Sequence, residues 1–171
     1  MFITTHVLAS IVISQHTPNP WWAFGVSFFS HYFLDIIPHG DKPIEDWLQK
    51  GSHFKKSILV FGFDLLLISI FFFTLYSKMT LPRPGIVLAA IIGGTLPDVL
   101  WVLYDMHHRY LRHTFLSKVF IIRIESILEH HRRLHHYIEH LIKDKLSPQY
   151  LGAIVQIIFA GIFIFLALFP Y

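Results

Sequence analysis

Five long apolar stretches constrain the fold of this chain most, because such segments must be buried in a protein core or in lipid. They are Phe2–Ser14, Trp21–Pro38, Ser57–Tyr76, Gly85–Tyr104 and Tyr150–Phe169. Of the 171 residues, 54% are hydrophobic and 15% charged, whereas soluble domains carry about 25% charged residues. Because a membrane crossing takes about 20 residues, we expect the first stretch to be partly embedded or buried among the others. We therefore predict an all-α integral membrane protein, one domain over residues 1–171 with a bundle of about five transmembrane helices.

The basic residues predict an orientation for this bundle. If all five stretches cross the membrane, residues 39–56 and 105–149 lie on the same side as the N-terminus. That side carries twelve of the 14 Lys and Arg residues, and the opposite side carries only Lys78 and Arg83. Because an excess of Lys and Arg marks the cytoplasmic side, we predict a multi-pass protein of the inner (plasma) membrane with a cytoplasmic N-terminus. The positive charge then reflects topology, and no nucleic-acid partner is expected.

The cytoplasmic segment of about residues 105–149 contains a helical pattern of its own. Its apolar positions recur at steps of three and four: Phe120, Ile124, Ile127, His131, Leu134, Ile138 and Leu141. This period predicts a long amphipathic helix over Leu116–Lys143, with charged residues on the other face. We expect this helix to lie along the membrane surface or to fold beneath the bundle.

A row of metal-competent side chains runs through the second apolar stretch. His31, Asp35 and His39 follow one another at steps of four, which places them on one helix face. Ionisable groups inside membrane segments are costly and mark functional sites by default. Since the chain has no Cys, a metal ion must take His nitrogen or carboxylate oxygen, which favours Zn²⁺ and also suits Mn²⁺ or Fe²⁺.

Three other apolar stretches place an ionisable residue at a similar depth. By the helical rise, His6, Asp64 and Asp98 fall within roughly 5–10 Å of the cytoplasmic interface, as His31 and Asp35 do. This common depth predicts one pocket built by four segments. Structural alternatives stay open: a plain His31–Asp35 pair, Asp64 orienting a ligand from outside the metal's own shell, and Asp98 as a polar group at a helix kink.

A histidine-rich tract, Glu129–His140, offers further ligands. It holds the pairs His131/His135 and His136/His140, and this i,i+4 spacing permits chelation. A solvated helix face is the alternative for such a charged run. His131 is favoured as a ligand because it occupies the apolar stripe.

Taken together, these residues resemble the bacterial membrane-bound metal-dependent hydrolase family. The motifs that carry the resemblance are Thr5-His6, then His31 with Asp35 and His39, then Pro97-Asp98, and H-R-R-L-H-H over His131–His136. The last motif usually reads H-R-G-F-T-H-S in that family; Arg133, Leu134, His135 and Tyr137 replace G, F, T and S here. A competing H-R-Y-L-R-H runs over His108–His113. The string H-Y-x-x-D-x-x-x-H is also similar, more distantly, to motifs of zinc-dependent phospholipases C.

The residues and the resemblance together predict a metal-dependent hydrolase that uses an activated water at the cytoplasmic membrane face. The expected metal ligands are His6, His31, Asp35, His39, Asp64, Asp98, His131 and His136. Asp35 and Asp98 are the expected catalytic carboxylates, and a membrane lipid or lipid-linked ester or phosphoester is the expected substrate. Two other functions stay open: a divalent-cation or proton transporter, and a His-rich membrane scaffold or metal sensor.

Overall fold

A computed structural model describes residues 2–37, 53–78, 81, 83–106, 122–146 and 149–170, and within these the chain forms six helices and no strand. The helices are α1 Ile3–His16, α2 Pro20–Ile36, α3 His53–Ser77, α4 Pro84–Met106, α5 Ile122–Leu146 and α6 Gln149–Leu168. The predicted all-α fold is confirmed. Each apolar stretch corresponds to one helix within a few residues. The amphipathic helix predicted over Leu116–Lys143 corresponds to α5, and its first six residues lie outside the described part.

The short first helix occupies the centre of the bundle. α1 contacts α2, α3, α4 and α6, and its residues 4–11 are buried without interruption. Val7 and Ile11 pack with Leu75 of α3 and Ala167 of α6. The serines of α1 satisfy their own hydroxyls within the helix: Ser10 donates to the His6 carbonyl at 2.7 Å. Because α1 is short and enclosed, it is a core element. This agrees with the expectation that the first stretch is buried among the others.

Helices α2 and α4 form the most extensive pair in the bundle, and small residues allow their close approach. Ala23 of α2 packs against Ile86 and Ala90 of α4. A Cβ at Gly93 would collide with the Phe24 carbonyl oxygen of α2. Small residues such as Gly and Ala at a helix contact let the two backbones approach closely.

The replacement Gly93→Ala is therefore expected to destabilise the fold by about 1–3 kcal/mol, the usual cost of overpacking. The matched control is Gly25→Ala, because nothing lies within 4 Å of a Cβ there. Since Ala favours a helix over Gly by about 1 kcal/mol, the control should be neutral or stabilising. Thermal unfolding of both variants in detergent measures the difference, and equal midpoints would contradict this account of the α2–α4 contact.

The outer surface of the described helices is strongly apolar. Every described helix except α1 carries large apolar side chains that are more than half exposed. Examples are Phe33, Leu66, Phe73, Ile127 and Ile157. One segment of the described residues, Pro84–Tyr104 with 21 residues, is long and apolar enough to cross a membrane. Gly62–Ser77 and Ile154–Leu168 are apolar but shorter. The five spans and their orientation stay predictions.

Candidate metal centre

Four side chains from three helices converge at one end of the bundle. His31 and Asp35 of α2, Asp98 of α4 and His135 of α5 each offer one ligand atom, and these atoms all lie within 4.8 Å of one another. The pair on α2 meets because residues four apart share a helix face. The prediction of a His/Asp cluster able to hold a metal ion is confirmed at this coarse level, and the identity of the ion stays a prediction.

Five distances between the four ligand atoms are short enough for a single ion to contact these residues. His31 Nε2 lies 3.0 Å from Asp35 Oδ2, 3.6 Å from Asp98 Oδ1 and 3.2 Å from His135 Nε2. His135 Nε2 lies 3.2 Å from Asp35 Oδ2 and 3.7 Å from Asp98 Oδ1. A zinc ion with bonds of about 2.0–2.1 Å holds its four ligands about 3.3 Å apart. The five distances scatter around that value, so an ion fits with shifts of a few tenths of an ångström.

The hydrogen bond on the far side of His31 aims this ring at the cluster. His31 Nδ1 lies 2.8 Å from the Gly94 carbonyl oxygen, and a carbonyl only accepts, so Nδ1 carries the proton. In the neutral ring, Nε2 then presents its lone pair to two carboxylates and to a second imidazole nitrogen. Electron pairs that face one another in a buried site need a cation or a further proton between them. A ligating His typically donates its other N–H to such a backbone carbonyl.

His6 lies directly beside the four ligands without being one of them. Its ring stacks on His31 with centroids 4.0 Å apart, and its Nε2 lies 3.3 Å from Asp35 Oδ1. The ring is 1% exposed, and neither nitrogen makes a hydrogen bond within the described part of the chain. The predicted association of His6 with His31 and Asp35 is therefore present in the structure. His6 contacts Oδ1 of Asp35, whereas His31 and His135 lie near Oδ2.

His131 lies next to the cluster but uses both of its nitrogens elsewhere. Its Nε2–H donates to the Pro97 carbonyl at 2.9 Å, so Nδ1 is free to accept from the Tyr32 hydroxyl at 3.2 Å. Burial lowers the pKa of His131, which favours the neutral ring that this arrangement requires. In this structure His131 links α5 to the residue before Asp98 and is absent from the four-residue donor set.

The rotation of α5 decides which of its histidines enters the site. Leu128 and His135 are buried against the bundle, whereas Ile127 and Leu134 are more than half exposed. The buried face therefore lies one residue further round the helix than the apolar stripe. His135, which the sequence analysis did not select, occupies that face, and His136 is exposed. The sequence signal that could have identified His135 is its i,i+4 spacing from His131, because this pair includes the histidine that faces inward.

Asp64 of α3 lies beside the first turn of α1 and binds the backbone of that turn. Its carboxylate accepts from the N–H of Ile3 at 2.9 Å, from the N–H of Thr4 at 3.1 Å and from the Thr4 hydroxyl. The first N–H groups of a helix lack partners inside the helix and attract negative charge. Asp64 thus caps the helix that carries His6 and is absent from the four-residue donor set. His39 lies outside the described residues, so its predicted role is not addressed.

Asp64→Asn is expected to lower stability by about 1–2 kcal/mol, because both carboxylate oxygens accept from backbone N–H groups and the amide replaces one acceptor with a donor and removes the charge. Metal content should stay at the wild-type level, since Asp64 is not among the four grouped ligands. Thermal unfolding and elemental analysis of one sample separate the two effects. Loss of metal with unchanged stability would instead make Asp64 a ligand.

A charged cluster fixes the outer side of α5. Glu129 accepts from Arg132 at 3.0 Å and from Arg133 at 2.8 Å, and hydrogen bonding to Arg132 holds the pKa of Glu129 well below its usual range. The Arg132 guanidinium also lies 5.2 Å from the centre of the Tyr104 ring of α4. These contacts lie on the charged face expected for this helix, and the Arg132–Tyr104 contact joins α5 to α4.

No family model, curated protein or solved structure matches this chain. The resemblance to membrane-bound metal-dependent hydrolases therefore stays a prediction. The fold and the site define a helical protein with a buried His/Asp cluster that can hold a metal ion.

Proposed function

We propose that this protein is a membrane-bound metal-dependent hydrolase that cleaves an ester or phosphoester of a lipid or lipid-linked substrate at the cytoplasmic face of the inner membrane. The observation that carries the proposal is the convergence of His31, Asp35, Asp98 and His135, whose ligand atoms lie within 4.8 Å of one another. Its mixture of imidazole and carboxylate suits Zn²⁺, with Mn²⁺ or Fe²⁺ as alternatives. A bound divalent ion would supply a Lewis acid and, with a coordination position left for water beside the protein ligands, would lower the pKa of that water toward neutrality.

The apolar surface supports the membrane part of the proposal. Exposed Leu, Ile and Phe side chains lie on every described helix except α1, whereas polar side chains such as His6, His31 and Asp35 are buried. So many large apolar side chains on the outside are unusual for a soluble monomer and typical of a protein that faces lipid. The proposed site lies at the end of α2 that precedes the basic segment of residues 39–56, which is the cytoplasmic end by the charge distribution.

The two carboxylates of the site differ in a way that suggests separate roles. The Asp35 side chain is 2% exposed and lies within 3.3 Å of three histidines, so its role is to bind. The Asp98 side chain is 21% exposed, so Asp98 is the more accessible of the two carboxylates. Asp98 is therefore the residue proposed to accept a proton from water, as a general base does.

Hydrolysis by the purified protein in liposomes of phosphatidylethanolamine and phosphatidylglycerol tests the proposal. Mass spectrometry of the lipids should show products that vanish with chelator and return with added metal. Asp98→Asn should lower kcat by about 10²–10⁴-fold, the usual contribution of a general base, while His136→Ala keeps wild-type activity. Uptake of radiolabelled zinc into the liposomes without any lipid product would contradict the proposal and favour transport.

A further inference from the structure

A groove of about 580 Å³ runs between α2 and α5, directly beside the metal centre. Its long walls are hydrocarbon: Phe29, Phe33 and Ile36 on one side and Ile127, Leu134 and Ile138 on the other. Its volume is within the roughly 300–1,000 Å³ of ligand-binding clefts. The apolar stripe of α5 therefore faces this groove, and the helix packs on the bundle through the neighbouring face.

The groove and the metal centre share one wall. Tyr32 lines the groove, and the other side of its ring packs edge-on against His31 with centroids 5.6 Å apart and near His135 at 6.1 Å. His131, the hydrogen-bond partner of Tyr32, lines the groove as well. An occupant that extends past this pair meets the ligands of the metal.

The composition and length of the groove select its occupant. No Lys, Arg, Asp or Glu is among its lining residues, and its polar groups are Tyr32, His130 and His131. From Ile127 to Ile138 the groove extends about 16 Å by the helical rise, close to half of the roughly 30 Å hydrocarbon core of a bilayer. A single acyl chain matches both the chemistry and the length, because it needs no polar partner except at the end that carries the ester.

We propose that this groove binds one acyl chain of a membrane lipid and that the Tyr32–His131 pair marks the end where the ester or phosphoester meets the metal centre. The role of the Tyr32–His131 end rests on the proposed function. The inference adds that the substrate is a lipid bound through its acyl chain. The groove then selects the chain, and the headgroup contributes less to recognition.

Photolabelling of the full-length protein in dodecyl maltoside tests the groove without requiring turnover. The probe is phosphatidylcholine with a diazirine at the end of one palmitoyl chain, titrated into the micelles. Labelling of peptides from α2 and α5 around Phe33 and Leu134 should saturate as the probe fraction rises. Labelling of the exposed surface of α3 around Leu66 and Phe73 should instead rise linearly, as expected for bulk contact.

A pair of variants gives the matched control. Leu134→Trp fills the groove and should lower the saturable labelling at least about fivefold, the low end of what overpacking costs. Leu66→Trp adds the same bulk at a comparably exposed position on α3 and should leave it unchanged. Size-exclusion chromatography verifies that both variants are folded and monodisperse.

Linear labelling of the groove peptides, or labelling that Leu134→Trp does not reduce, would overturn the inference. If a second copy of the chain fills the groove, light scattering shows a dimer that Leu134→Trp converts to a monomer, which also overturns it. The outcome is separable from that of the proposed function. Saturable labelling of a protein with no bound metal and no hydrolysis supports the acyl-chain groove and rejects the enzyme. Metal-dependent hydrolysis without saturable labelling supports the enzyme and rejects the groove.

Discussion

Asp35→Asn is expected to weaken metal binding more than about 100-fold. Loss of a residue that only hydrogen-bonds to a metal ligand already lowers metal affinity by about 10–100-fold, and Asp35 is proposed to be a ligand itself. Among the described residues, Asp35 contacts both histidines of the donor set and the neighbouring His6: Oδ2 faces His31 and His135, and Oδ1 faces His6. The amide has one oxygen in place of two and no charge to balance an ion. Titration of the metal-free protein with zinc, followed by a competing chelator, measures the affinity of wild type and variant.

The control for this prediction is the cap residue Asp64, which is also a buried aspartate. Asp64→Asn removes the same charge but should retain zinc at wild-type affinity. A similar loss in both variants would point to a general effect of charge on the fold, and the assignment of Asp35 as a ligand would then be wrong.

His135→Ala is expected to abolish stable metal binding, whereas His136→Ala should leave it intact. The two residues are adjacent on α5, but His135 is 8% exposed with Nε2 in the donor set, and His136 is exposed. His131→Ala should fall between them, with a loss of about 10–100-fold, because His131 acts through Pro97 and Tyr32 as an outer partner. Elemental analysis of the three purified variants gives the ranking.

This series tests the rotation of α5 directly. If His131→Ala loses metal and His135→Ala keeps it, the apolar stripe faces the bundle and the buried face described here is wrong. Circular dichroism of each variant provides the check that α5 remains helical.

Local sequence pattern was enough to predict the part of the site that one helix builds. His31 and Asp35 meet because of i,i+4 spacing, and a carboxylate directly after Pro97 marked Asp98 within an apolar helix. Both were found at the expected place. The Gly and Ala residues of the fourth stretch permit close packing, and Gly93 against the Phe24 carbonyl is such a contact.

Tertiary contacts determine the remaining residues of the site. A pattern along one segment carries little information about such contacts. The stripe through Ile127 and Leu134 predicted the inward face of α5, but the helix buries the neighbouring face and leaves the stripe to the groove. Only the position of α5 against α2 and α4 selects His135 over His131. Asp64 shows the same limit, because its partners at Ile3 and Thr4 lie some 60 residues away in the chain.

The metal content of the purified wild-type protein tests the central claim most directly. After incubation with zinc and removal of excess ion, the account predicts about one tightly bound zinc or more per chain, as for a site with four protein ligands. The Asp35→Asn protein, treated in the same way, should carry almost none. Wild-type protein that retains no more zinc than this variant would contradict the account.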